Sequence, residues 1–152
     1  MANPEKHTIE LWLALSLAQQ AVTVQIQERL KQDSLPPLSW FEILFELEHS
    51  SKCLRPHELQ RILLLKQHNM SRILNRMVEA KLVQQGDAPT DKRGKTFCTT
   101  QEGRQMSRRM WRCYSPVLHA MRAHISEHVD PELATIALRS LVEKKVLDHF
   151  KI

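Results

Sequence analysis

The stretch Asp87–Gly103, DAPTDKRGKTFCTTQEG, decides how this chain is read. Together with Gly86 just before it, it holds all three glycines of a 152-residue chain, at 86, 94 and 103. Elsewhere the apolar residues recur at helical spacing. Glycine permits turns that other side chains resist, so the stretch reads as a lone hairpin in a helical chain. Leu82-Val83 starts a strand, Gly86–Gly94 turns it, and Lys95–Thr99 returns it. The tip carries Lys92, Arg93 and Lys95, and Thr100 is placed to cap the next helix.

Charge gives the hairpin a context. The net charge is +5, and residues 61–95 hold eight Lys or Arg against three acids, so the whole excess lies there. A localised basic surface suits a polyanion, whose binding is driven by counterion release. A solvated basic face is the plainer alternative. The chain is long enough for one domain, or for two small lobes sharing a core.

Upstream, the helix before the hairpin has the clearest pattern. Met70, Ile73, Leu74, Met77 and Val78 form one apolar stripe, with His68, Ser71, Arg72, Asn75, Arg76 and Glu79 opposite. A shorter helix begins with Pro56 in its first turn and buries Leu59, Ile62 and Leu63. Before that, Ser39-Trp40-Phe41-Glu42 has the form of a capping box, followed by Ile43, Leu44 and Leu47. Asp33–Leu38, DSLPPL, is a break, since Pro36 and Pro37 forbid helix continuation.

Residues 8–32 read as one long helix, apolar on nearly every side in its first half: Ile9, Leu11, Trp12, Leu13, Leu15, Leu17. Such a helix must be buried all round, which implies a partner chain. Leu11–Ala18 imitates a signal peptide, but Glu10 and Glu5 interrupt its entry and the apolar pattern continues through Leu30, so it is read as mature helix. Its apolar run is read as too short to span a bilayer. Downstream, a long helix from about Gln101 to His128 is expected to break or kink at Pro116. Asp130-Pro131-Glu132 then opens a final helix with Leu138, Leu141, Val142 and Val146 on one face.

Two short helices, an amphipathic helix with a polar outer face, then a basic hairpin is the winged helix-turn-helix order. A major groove admits one helix, and Arg72 and Arg76 would reach guanine edges or phosphates there. Gln67, His68, Asn69 and Ser71 lie near the helix N-terminus, the end that favours phosphate. The hairpin, with Lys92 and Lys95 at its tip, would carry Arg93 towards a flanking minor groove.

These residues resemble a family. Asn69-x-Ser71-Arg72-Ile73-Leu74-x-Arg76-Met77, then Leu82-Val83, Asp91-Lys92-Arg93 and Thr100-x-x-Gly103, look like a MarR-type (multiple antibiotic resistance regulator) transcriptional regulator. The resemblance implies a mainly α fold with one small β-hairpin wing. Residues 37–103 would be the winged helix-turn-helix DNA-binding lobe, and 1–36 with 104–152 the helical dimerisation region. Arg93 would enter the minor groove and Asp91 would brace the wing. The implied protein is a cytoplasmic homodimer on a pseudo-palindromic double-stranded operator, a repressor released by a small-molecule effector, with no membrane partner. The chain departs from the family pattern at Lys66, where a Ser or Thr cap is usual, and at Lys81, where glycine is usual. Asn69 is the alternative cap.

Other residues admit two readings. Trp12, Trp40, Trp111 and Tyr114 would line an aromatic effector pocket, or pack in the core. Arg104, Arg108, Arg109 and Arg112 would steer an anionic effector, or form a solvated face. His124 and His128, with Glu127 between and His119 upstream, have metal-clamping spacing, but no metal or cofactor is assigned. Cys53, Cys98 and Cys113 have no metal-finger spacing and are read as thiols in a reducing compartment rather than a disulfide framework. A metal- or thiol-responsive regulator, or a winged helix that binds protein instead of DNA, remain alternatives. No phosphate-cradling glycine loop, nucleophile elbow or paired-carboxylate site is visible, which argues against an enzyme.

Overall fold

The computed structural model of the protein describes residues 6–63, 69–86 and 94–141. The first helix, α1 (Lys6–Gln32), ends by its own backbone chemistry. Ser34 takes a left-handed conformation, so that its amide donates to the Lys31 carbonyl and the Leu35 amide to Leu30. This double bond is a Schellman stop, and it acts just before Pro36 and Pro37 would end the helix in any case.

Helix α2 (Leu38–His49) corrects the expected capping box. The N-cap is Pro37, Ser39 sits inside the first turn, and no side chain caps the helix. The reason is packing: Leu38 is buried beside Phe41 and the α1 residues Ile26 and Leu30. Pro37, with its fixed φ, supplies the extended residue that a helix start needs. Helix α3 (Pro56–Ile62) begins at proline as expected. The Arg55 amide donates to Glu58 Oε2 at 2.8 Å and Lys52 Nζ lies 2.9 Å from Oε1. These partners, the Arg55 amide first, hold the Glu58 carboxyl below its usual range.

Helix α4 (Met70–Glu79) buries Met70, Leu74 and Met77, the expected stripe. The strands β1 (Val83–Gly86) and β2 (Thr96–Thr99) pair antiparallel, Val83 opposite Thr99 and Gly86 opposite Thr96. A third, one-residue rung joins Leu54 to Phe97. Helix α5 (Gln101–Ser126) starts on Thr100, whose hydroxyl accepts from the Gly103 amide at 3.0 Å. It stays helical through Pro116, so the expected break is absent; α5 lies along α1 and α2, and that packing supports it past the proline. Helix α6 (Pro131–Arg139) is capped by Asp130, as expected; Val142 and Val146 lie outside the described residues.

Two apolar cores result. One joins α2, α3, α4 and the hairpin around Leu44, Leu59, Leu74, Met77 and Phe97. The other joins α1, α2 and α5 around Ile26, Leu30, Phe41, Met110 and Val117. Helix α2 contributes to both, because Ile43, Leu44 and Leu47 face one way and Leu38 and Phe41 the other. The first half of α1 touches neither: Leu11, Trp12 and Leu17 are each more than 60% exposed. By length and composition α1 is also apolar enough to cross a membrane, which corrects the expectation that its run is too short.

The cysteine reading is corrected too. Cys53 and Cys98 are joined, their Cα atoms 4.7 Å apart, and Cys113 is free. The Leu54–Phe97 rung brings them together. Leu54 and Phe97 exchange both hydrogen bonds, at 2.9 and 2.8 Å. The next pair outward is therefore a non-hydrogen-bonded position, where antiparallel Cα atoms approach to about 4.5 Å. A single rung is too short to show as alternation in sequence.

Lys81 follows α4 in a left-handed conformation, φ 60°. Its amide donates to Val78 and the Leu82 amide to Met77, a second Schellman stop. A side chain at such a position costs about 1–2 kcal/mol relative to glycine. Lys81→Gly is expected to stabilise the fold by about 1 kcal/mol, a Tm rise of roughly 2–4 °C. An unchanged or lower Tm on calorimetry would contradict this.

Candidate nucleic-acid interface

Because α4 turns its Met/Leu stripe inwards, Ser71, Arg72, Asn75 and Arg76 stand exposed on its outer face. Asn69 occupies the N-cap with φ 63° and makes no side-chain cap bond; its carbonyl accepts from the Arg72 amide at 2.9 Å. The helix therefore begins at Met70, one residue after the alternative cap named from sequence. Gln67 and His68 precede it, and with Asp91, Lys92 and Arg93 they lie outside the described residues.

A groove of about 740 Å³ runs between the start of α3 and the start of α4. Pro56, His57 and Gln60 line one wall, and Asn69, Met70, Ser71 and Arg72 the other. The structure thus brings Asn69, Ser71 and Arg72 together. It also adds His57 and Gln60, which sequence reasoning missed, although their exposure follows from the Leu59–Ile62–Leu63 stripe between them. Arg76 is set apart from the groove: its guanidinium lies 6.0 Å from the Trp40 ring centroid, over the ring face. That contact holds it by cation–π attraction on the α2 side of α4.

The hairpin root is fixed to α4 through one short connection. Thr100 Oγ1 donates to the Lys81 carbonyl at 2.7 Å, with the Leu82 carbonyl at 3.1 Å, and the Thr100 amide also donates to Leu82. A Cβ at Gly103 would collide with the Leu82 carbonyl and lie 2.6 Å from Thr99 Oγ1. Only glycine lets α5 start this close. At the other end of the hairpin, a Cβ on Gly94 would come within 3.1 Å of the Arg55 guanidinium. Arg55 therefore adds a cation beneath the returning strand, beside exposed Lys95. Its position before Pro56 gave no hint of this.

The aromatic candidates do not converge. Trp111 and Tyr114 cluster with Phe41, at ring separations of 6.2 and 5.2 Å. Trp40 packs instead on the α4 core, and Trp12 stands exposed on α1. Burial, and then the Glu42 charge, push the Tyr114 phenol up, so it stays a neutral donor. The Cys113 thiol is pushed up as well, first by burial and then by its 2.9 Å hydrogen bond to Asp33 Oδ2. A raised thiol is a weak nucleophile at neutral pH. His124, Glu127 and His128 are exposed with ligand atoms within 4.8 Å of one another. His119 and Arg108, Arg109 and Arg112 are also exposed, while Arg104 is half-buried.

Comparison with known proteins shows what this geometry is similar to. Residues 34–94 match the sequence model of the MarR family. Among solved structures, the MarR family transcriptional regulator AbsC from Streptomyces coelicolor is similar at TM-score 0.75 and 21% identity, over 99% of both chains. Sco3205, a MarR family regulator from the same organism solved in complex with DNA, is similar at 0.71 and 21%, over 100% of this chain and 91% of that one. Wild-type MarR from E. coli is similar at 0.68 and 21%, over 88% and 97%. No curated protein matches the sequence. The chain has the MarR-family winged helix-turn-helix fold, with the family's sequence pattern over 34–94.

The Gly103 junction is directly testable. Gly103→Ala must displace a backbone carbonyl rather than a flexible side chain, which costs about 3 kcal/mol. The expected Tm fall is roughly 6–12 °C. A fall under 2 °C would show that the junction is looser than described.

Proposed function

On this MarR-family fold, we propose that the protein is a cytoplasmic, homodimeric transcriptional regulator that binds a pseudo-palindromic double-stranded operator and represses, with release by a small molecule. One observation carries the DNA-binding reading. The exposed polar face of α4, with its groove against α3, is held at a fixed offset from the hairpin root by Thr100 and Gly103. In this reading Ser71, Arg72 and Arg76 enter the major groove, with Gln67, His68 and Asn69 at the helix start. His57 and Gln60 meet phosphate. Arg93, Lys92 and Lys95 reach the flanking minor groove, with Asp91 as brace. The solved Sco3205–DNA complex is a precedent for this fold on DNA.

Dimerisation is supported by surface. Large apolar side chains stand exposed along α1 and α6, at Leu11, Trp12, Leu17, Leu133, Ile136 and Leu141. Residues 1–36 and 104–152 are assigned to this dimer region and 37–103 to DNA. The Phe41–Trp111–Tyr114 cluster, at the seam of the two, is the favoured effector contact; Trp40 and Trp12 are not part of it.

Selection of bound duplex from a random pool tests the reading. Arg93→Ala is expected to weaken the recovered duplex more than tenfold at physiological salt, since a good charged contact is worth about 1–3 kcal/mol. Recovery of no duplex, or unchanged affinity in Arg93→Ala, would favour a protein-binding winged helix. Sedimentation without detergent is expected to give a dimer at micromolar concentration. A stable monomer, or a need for detergent, would contradict the α1 assignment.

A further inference from the structure

The Cys53–Cys98 pair sits where the DNA-binding elements meet. The chain between the two sulfurs contains α3, α4 and β1, so the bond closes a ring around the recognition helix and the first wing strand. The pair lies on the sheet face opposite Phe97, whose side chain goes into the core. On that face Gly86 makes room: a Cβ there would lie 3.0 Å from Cys53 Sγ and 3.1 Å from Cys98 Sγ. Thr96 Oγ1 donates to the Gly86 carbonyl at 2.7 Å beside them. Three backbone segments are thus built around the sulfurs. Both cysteines are only half-buried.

We propose that Cys53 and Cys98 are a reversible thiol–disulfide exchange site whose co-reactants are low-molecular-weight thiols and disulfides, and that its closed form clamps the hairpin root in the DNA-binding geometry. The clamp's role rests on the DNA-binding reading above. Proteins that work on DNA sit where thiols are kept reduced, and disulfides in such compartments are characteristically transient. Closure is balanced with a small disulfide. One cysteine thiolate attacks it, forming a mixed disulfide and releasing one small thiol. The second cysteine thiolate then attacks the mixed disulfide, forming Cys53–Cys98 and releasing another. Two electrons pass from the cysteine sulfurs to the small disulfide, and the two cysteine protons leave on its thiol products. Excess small thiol reverses both steps. Once open, the root retains the two Leu54–Phe97 hydrogen bonds and the β1–β2 ladder. Cys113 is not part of this pair: it packs on the second core, with its thiol donating to Asp33 Oδ2.

The full-length protein equilibrated in glutathione buffers of graded ratio, then alkylated and weighed, should pass from three blocked cysteines to one, with a Cys53–Cys98 link. Amide hydrogen exchange should slow in the closed form at Leu54, Val83–Gly86 and Thr96–Thr99. The selected duplex should bind the closed form at least about fivefold more tightly. Cys53→Ser and Cys98→Ser should each abolish the redox dependence, and Cys113→Ser should keep it. No Cys53–Cys98 link at any glutathione ratio overturns the site. A link with unchanged exchange at those amides, or equal affinity of both forms, overturns the clamp. Slowed exchange with no duplex bound by either form supports the exchange site while refuting the DNA-binding reading itself.

Discussion

The Leu82 carbonyl is the point on which the geometry of the lobe depends. It accepts from the Thr100 amide and lies 3.1 Å from the Thr100 hydroxyl. It also presses on Gly103 closely enough to exclude any Cβ. The Leu82 amide, one atom group away, closes the C-terminus of α4 on Met77. One residue therefore ends α4, leads into β1 and seats the long helix. Each of these groups would carry an unsatisfied backbone partner if moved alone. The offset between α4 and the hairpin is fixed by backbone hydrogen bonds, and surface side chains can vary without altering it.

From this junction the two cores diverge. Helix α2 lies between them and gives each a different face, so packed side chains join α5 and α1 to the lobe. Phe41 touches Trp111 and Tyr114 while its neighbour Trp40 lies against Arg76. Adjacent residues on one helix thus link the aromatic seam to a cation on the outer face of α4. This is a physical path by which occupancy of the seam would reach the DNA-binding surface, provided α2 has two packed positions.

Much of the fold was legible because its signals are local. The α4 stripe, Pro56 in its first turn, the Thr100 and Asp130 caps and the glycine-marked hairpin all rest on contacts within a few residues. The errors came from longer range. Ser39 has cap chemistry, but burial of Leu38 draws the helix start two residues earlier, with Pro37 as the cap. Cys53 and Cys98 carry no spacing signal, because the rung that joins them is a single residue long. Arg55 and His57 enter the site only because β2 and α4 fold back over them. Lys81 was visible as a departure from the family pattern, and the structure gives its meaning: a lysine holding the left-handed position that glycine usually fills.

In the proposed reading, α4 and the hairpin engage two different grooves from one rigid junction. Methylation interference on the selected duplex separates the two grooves. Methylation of guanine N7, in the major groove, is expected to block binding in two stretches about one helical turn apart. Methylation of adenine N3, in the minor groove, should block binding in the segment flanking each stretch. Interference confined to a single groove, or to one stretch alone, would contradict it.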